Sequence, residues 1–374
     1  MGDKASGVLV LISAALLCAV LGSIHAFSVF LDPLQQAFGL SRATVSLTYS
    51  FGLLAITLAV LLGPRFYSIT TPARLFAIVG LLGAFGAVLA GIAGGIAGIW
   101  VGYSLCFGIA NGMGYGFALQ YSARANPLRP GLAMGTVTAA YALGAALAPL
   151  LFVKALAAGG FGAAMTVLAA ALLLAAGGAA MAVARSGIPY GERTEATTIT
   201  LPPAPAIIRI WLAYGTGVAA GLMAIGHAAG FAALAGIAPW LAPAVLALCN
   251  MAGSLTGGYL ADRFSAPVVL SALPVLSIAG LLTLAQAPVL TLLALGILGF
   301  AYGGTIAAYP AVIARRFPGA AGPVVYGRVF TAWGLAGLLA PWIAGLLYDQ
   351  NQSYLSALWI AATLATASAL LART

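Results

Sequence analysis

Apolar residues run through this chain in twelve long stretches, broken only by short clusters of charged, Pro and Gly residues. A helix needs about 20 apolar residues to cross about 30 Å of hydrocarbon. The pattern predicts spanning helices over 8–31, 43–64, 73–94, 97–120, 131–153, 162–184, 207–232, 239–261, 266–286, 288–313, 324–347 and 353–371. The first stretch is longer than the apolar core of a secretory signal and runs into an amphipathic turn, so it is read as a retained helix. The expected class is an all-α membrane protein.

One stretch breaks the pattern. Residues 185–206 hold Arg185, Glu192, Arg193 and Glu195, a Thr-rich run, and Pro202, Pro203 and Pro205. That composition predicts a solvated linker between a six-helix bundle over 1–184 and a second over 207–374. The halves repeat: a shift of 192 residues places Gly112 on Gly304, Arg124 on Arg316, Gly135 on Gly327, Tyr141 on Trp333 and Pro149 on Pro341. AYALGAALAP thus aligns without a gap on AWGLAGLLAP, in the fifth and eleventh helices. Alanine identities mean little in Ala-rich helices, so the Gly, Arg and Pro matches carry the repeat. Two pseudo-symmetric bundles predict a solute site at their interface near the midplane, with the halves rocking about it.

Composition excludes a soluble domain: hydrophobic residues make up 63% of the chain and charged ones 6%, against about a quarter charged in a soluble fold. The net charge of +9 raises nucleic acid as a partner, but its distribution points elsewhere. With the N-terminus inside, Lys4, Arg65, Arg74, Arg124, Arg129, Arg185, Arg193, Arg209, Arg263, Arg315, Arg316, Arg328 and Arg373 fall on the cytoplasmic side, and only Arg42 and Lys154 outside. This positive-inside bias sets the orientation. It predicts a multi-pass protein of a bacterial-type inner membrane with both termini cytoplasmic, the bilayer rather than nucleic acid as partner, and a monomer sufficient for function. Cys18, Cys106 and Cys249 fall inside predicted spans, so no disulfide framework is indicated. The 48 glycines fit close helix packing.

After the eighth helix stands Gly258-Tyr-Leu-Ala-Asp262-Arg263. With twelve helices, a central loop and repeated halves, this resembles the cytoplasmic loop motif of the major facilitator superfamily. The equivalent after the second helix, Gly63-Pro64-Arg65-Phe66, lacks the acidic residue. The resemblance implies that Asp262 meets a neighbouring helix end, as the helix dipole favours. It implies a gating set of Gly258, Asp262 and Arg263, joined by the repeat-related Arg124 and Arg316. Residues 22–51, 303–317 and 325–349 resemble a narrower branch, the oxalate/formate antiporter-like and monocarboxylate porters with their copper and riboflavin importer relatives. That branch often reads Gly-Asn-x-x-Gly-Arg in the eighth helix, where the arginine binds a carboxylate. This chain reads Cys249-Asn250-Met251-Ala252-Gly253-Ser254, and a serine hydroxyl cannot supply a bidentate cation.

All six acidic residues, Asp3, Asp32, Glu192, Glu195, Asp262 and Asp349, are expected in loops or at helix ends, leaving no mid-membrane carboxylate for a proton relay. His25 and His227 lie in the first and seventh helices, which correspond in the two halves. Each suits either a cavity role or a packed helix–helix hydrogen bond. Three substrate readings follow. A small, weakly charged organic solute, vitamin-like in the manner of riboflavin, would use His25, His227, Tyr141, Trp333, Asn250, Ser254, Tyr302 and Gln120, which supply ring faces and neutral hydrogen-bond partners. Cu(I) would use Met223, His227, Cys249 and Met251, soft and imidazole donors that suit that ion, though a Met at helical spacing also serves plain packing. A monocarboxylate would depend on Arg328. The sequence offers no nucleophile–base pair and no Gly-rich phosphate loop. A secondary transporter without cofactor is therefore expected, and not an enzyme.

Overall fold

The computed structural model describes residues 2–67, 69–190, 201–238 and 241–373. Glu192, Arg193, Glu195 and the Thr-rich run of the linker lie outside the described residues. Everything regular among the described residues is helical. Helix α1 runs from Gly2–Leu21 through a 3-10 stretch, Gly22–Phe30, into Leu31–Phe38. Then follow α2 (Arg42–Tyr67), α3 (Pro72–Gly91) and α4 (Ile96–Ala125), the last with a π-helical stretch at Trp100–Phe107.

From Pro130 to Ser186 helix follows helix without a loop, but Gly159 (φ −166°) and Gly160 (φ 69°) leave helical geometry. Glycine is the residue that takes a positive φ without steric cost. The run is therefore two helices, α5 (130–158) and α6 (161–186). Eleven continuous apolar runs thus become twelve spans among the described residues. The second half holds α7 (Ala204–Ile225, followed by the short Ala228–Leu234), α8 (Leu241–Arg263), α9 (Ala266–Gln286), α10 (Pro288–Arg316), α11 (Ala321–Asn351) and α12 (Leu355–Ala372).

Two expectations change. The first helix continues to Phe38 and stops at Gly39, whose φ of 63° closes it; Asp32 consequently sits inside helix, in the first turn of Leu31–Phe38. The seventh does not run unbroken to 232, because His227, at φ −116° and ψ 16°, interrupts it.

Large apolar side chains face outward along the helices: Leu81, Phe85, Leu174, Trp342 and Leu370 are all more than half exposed. Water would penalise such faces and hydrocarbon does not. The chain is a multi-pass membrane protein.

Contacts divide it into two compact units, Met1–Leu128 with Ala140–Thr198, and Arg129–Ala139 with Ile199–Thr374. Inside the first unit α1 and α5 touch backbone to backbone. A Cβ on Gly22 would lie 2.0 Å from the Tyr141 carbonyl oxygen. Inside the second, α8 crosses the first turns of α5 as closely, and a Cβ on Gly258 would stand 2.2 Å from the Gly131 carbonyl oxygen.

Charged groups serve helix ends. In the second unit the Asp262 carboxylate accepts from the Gly131 N–H at 2.7 Å and the Leu132 N–H at 2.8 Å. It caps α5 just behind Pro130, where orphan donors and the positive end of the dipole favour an anion. Arg209 donates through Nε and Nη2 to the Leu371 carbonyl, at 3.0 and 2.9 Å, near the end of α12. Arg315 likewise donates to the carbonyls of Ala261 and Phe264 at the end of α8.

Candidate functional site

The first unit concentrates polar side chains where its helices leave α geometry. Asn111 of α4 is fully buried and donates through Nδ2 to the Leu21 carbonyl at 2.6 Å, at the point where α1 tightens into its 3-10 stretch. Tyr103, in the π-helical stretch of α4, points its hydroxyl at the Ile24 carbonyl, 3.4 Å away. Mid-helix 3-10 and π segments free backbone groups that cross-helix side chains can satisfy, and they recur at functional sites.

His25 lies in the middle of that tightened stretch and is partly exposed. Its Nδ1 is 2.6 Å from the Tyr49 hydroxyl of α2. The Tyr141 ring of α5 meets the imidazole edge-on at 5.5 Å between centroids. Tyr141 donates to Asn111 Oδ1 at 2.9 Å and packs on Tyr115 at 4.9 Å. His25, Tyr49, Tyr141, Asn111 and Tyr115 are thus one hydrogen-bonded aromatic cluster drawn from α1, α2, α4 and α5. Its polar groups are hydroxyls, an amide and an imidazole, suited to a solute that brings ring faces and neutral hydrogen-bonding groups.

The second unit repeats part of this arrangement. Trp333 of α11 donates through Nε1 to the Tyr302 hydroxyl of α10 at 2.9 Å, and its ring stacks on Phe330 at 5.0 Å and 15°. In both units, therefore, the residue at the repeat position of the fifth or eleventh helix donates to a polar side chain on the fourth or tenth.

His227 is placed differently. Its Nε2 is 2.9 Å from the Pro341 carbonyl and its Nδ1 3.3 Å from the Tyr354 hydroxyl, with the two rings 5.1 Å apart. A carbonyl only accepts, so Nε2 carries the hydrogen, and in the neutral ring Nδ1 accepts from Tyr354. Both nitrogens thus tie the break in α7 to α11 and to the start of α12. Ser254 is fully buried, with its hydroxyl 3.2 Å from the Gly303 carbonyl and 3.3 Å from Asn250 Oδ1. Asn250 is partly exposed. Gln120 of α4 is buried, and its Nε2 has no hydrogen-bond partner among the described residues.

Each of the four soft-metal candidates has its own surroundings. Met223 is buried and lines an apolar cavity of about 220 Å³ with residues of α7, α11 and α12. His227 turns to Pro341 and Tyr354, whereas the Cys249 sulfur lies against Gly296 of α10. Met251 is partly exposed. Among the described residues no group of three or more His, Cys, Asp or Glu side chains could hold a metal ion.

At the arginine-rich end of the first unit, Arg124 donates to the Tyr190 carbonyl and lies 4.1 Å over its ring, while Tyr121 donates to the Ile188 carbonyl at 2.7 Å. Burial pushes the Tyr190 hydroxyl up to about 12, with the Arg124 guanidinium beside it pulling the other way. Arg124 therefore holds the first residues after α6 against α4. Its repeat partner Arg316 is exposed and lies 5.8 Å from the Phe317 ring centre. Arg263 stands over the Tyr259 ring at 5.2 Å. Arg328 is exposed near the start of α11.

Sequence reasoning missed Tyr49 and Tyr354, the partners of the two histidines. Tyr49 was visible only as a hydroxyl-bearing aromatic within an apolar span, and nothing local marks Tyr354 as the neighbour of a residue 127 positions away.

Solved structures share this architecture along nearly the whole chain. A proton:xylose symporter, XylE, bound to 6-bromo-6-deoxy-D-glucose, superposes with a TM-score of 0.79 at 14% identity over 98% of this chain and 95% of that one. FucP, in an outward conformation, gives 0.74 at 17% identity over 98% and 99%. A variant of the E. coli fucose:proton symporter FucP gives 0.67 at 16% identity over 97% and 98%. This chain has the major facilitator fold. The family model of the Major Facilitator Superfamily matches residues 240–374, which begin just ahead of α8 and include the Asp262 motif. No curated protein matches the sequence. Within the major facilitator fold, the clusters at His25 and at Trp333 are each unit's polar aromatic centre.

Proposed function

We propose that the protein is a secondary transporter that takes up a small, weakly charged organic solute by alternating access. The observation that carries this reading is the His25–Tyr49–Tyr141–Asn111 cluster in the first unit, echoed by Trp333–Tyr302 in the second. Both offer ring faces and neutral hydrogen-bonding groups. Serine stands at position 254, where the resembled branch carries a carboxylate-binding arginine, and its hydroxyl is spent on Gly303. The solved proteins described above as xylose and fucose symporters carry neutral hydroxylated rings, in keeping with a neutral solute. A heteroaromatic vitamin such as riboflavin combines both features. The arginine distribution supports a plasma-membrane protein of bacterial type with both termini cytoplasmic.

The test is thermal stabilisation of the detergent-purified chain against riboflavin, xylose, fucose, lactate, oxalate and Cu(I), followed by uptake of the best ligand into proteoliposomes. Binding to the folded state raises its unfolding midpoint by mass action. A shift with a neutral ring solute, lost in His25→Ala, supports the reading. A shift confined to lactate or oxalate, or to Cu(I), overturns it.

A further inference from the structure

In the second unit a cavity of about 90 Å³ lies at the arginine-rich ends of α7, α9, α10 and α12. Arg209 and Arg316 supply its polar side, and Leu270, Val312, Ile313 and Leu371 its apolar wall. The first residues of α9, Ala266 and Pro267, also line it. The Ser265 side chain makes no cap to that helix, so the positive end of its dipole adds to the two guanidinium groups.

Among the described residues no carboxylate pairs with either charge. Arg209 gives two donors to the Leu371 carbonyl, which satisfies hydrogen bonds without neutralising the cation. Arg316 lies over the Phe317 ring at 5.8 Å. The adjacent Arg315 is diverted to the end of α8, and the Asp262 carboxylate is engaged by Gly131 and Leu132. No acidic residue lines the cavity among the described residues. Two cations at the mouth of an apolar recess, at helix ends where a bilayer changes from hydrocarbon to headgroup, match an anion carried on an apolar chain.

We propose that this cavity is a binding site for a phosphate group, supplied by an anionic phospholipid whose acyl region lies along Leu270 and Ile313. The guanidinium groups hold the phosphate by charge-assisted hydrogen bonds. A free phosphate could use the same cations but gains nothing from the apolar wall.

The experiment titrates the full-length, detergent-purified protein with dihexanoyl phosphatidylglycerol, dihexanoyl phosphatidylcholine, glycerol 3-phosphate and inorganic phosphate, reading the unfolding midpoint and, by native mass spectrometry, bound ligand. The expected result is saturable binding of the phosphatidylglycerol, at least about tenfold tighter than either free phosphate. It should weaken by about tenfold in Arg316→Gln and in the cavity-filling Leu270→Trp. Arg185→Gln, which removes an exposed charge from α6, should leave it unchanged. Comparable binding of both free phosphates, lost in Arg316→Gln, would assign the site to a soluble anion. Equal binding of the zwitterionic lipid, or affinity for phosphatidylglycerol unchanged in both Arg316→Gln and Leu270→Trp, overturns the proposal. Arg316 is exposed and holds no helix end, so its variant remains informative if Leu270→Trp fails to fold.

Discussion

His25 and His227 occupy corresponding helices of the two units and have opposite surroundings. His25 sits in a tightened stretch of helix and meets side chains, the Tyr49 hydroxyl and the Tyr141 ring. His227 sits in a break between helices and meets the backbone of α11 and the Tyr354 hydroxyl. The second arrangement consumes both ring nitrogens in joining α7, α11 and α12. The first gathers rotatable side chains, which under the proposed function exchange partners with a solute. Sequence symmetry placed the two imidazoles on equivalent helices, and the local backbone decided what each does.

The largest effect that sharpens this contrast is on stability. His227→Ala removes the hydrogen bond to the part-buried Pro341 carbonyl and the one to the Tyr354 hydroxyl, which costs roughly 1–3 kcal/mol. Its unfolding midpoint in detergent should fall by several degrees, while uptake per folded molecule stays within about twofold. The reverse pattern, full stability with uptake abolished, would break the comparison. His25→Ala comes next. Uptake should drop about tenfold or more, the equivalent of about 1.4 kcal/mol, with a midpoint close to that of the parent.

Asp262→Asn should cost about 1 kcal/mol, since the amide keeps one acceptor for the start of α5 but loses the charge that suits the dipole. Circular-dichroism melts of the paired variants Asp262→Asn and Asp262→Glu check this, and no change in either would remove the capping role. The smallest effects belong to the echoing pair. Tyr141→Phe and Trp333→Phe keep a ring and lose one hydrogen bond each, so each should reduce uptake by roughly threefold to tenfold. A large loss in one and none in the other would show that only one unit's cluster meets the solute.

Much of the fold was legible because a bilayer imposes a length on each apolar run. The break between α5 and α6, expected between residues 153 and 162, falls at Gly159 and Gly160, a few residues after Lys154. The tightening of α1 was not legible at all. Asn111 and Tyr103 bind the carbonyls of Leu21 and Ile24 across 90 and 79 residues of chain, and no local propensity announces that. The candidate site was readable as a list of residue types. Tyr141 and Trp333 emerged from the repeat, and the structure gives them parallel hydrogen bonds. The partners of Ser254 and His227 were not readable, because Gly303, Pro341 and Tyr354 come from other helices.

The tightened segment of α1 also has a mechanical consequence. A 3-10 helix rises about 2.0 Å and turns about 120° per residue, against about 1.5 Å and about 100° in an α-helix. Over the nine residues Gly22–Phe30 that difference accumulates to about 4.5 Å of length and about half a revolution. Relaxing the segment into α geometry would act as a screw, drawing Leu31–Phe38 inward while turning its opposite face to its neighbours. Asn111 and Tyr103, by holding the carbonyls of Leu21 and Ile24, are the catches on that screw.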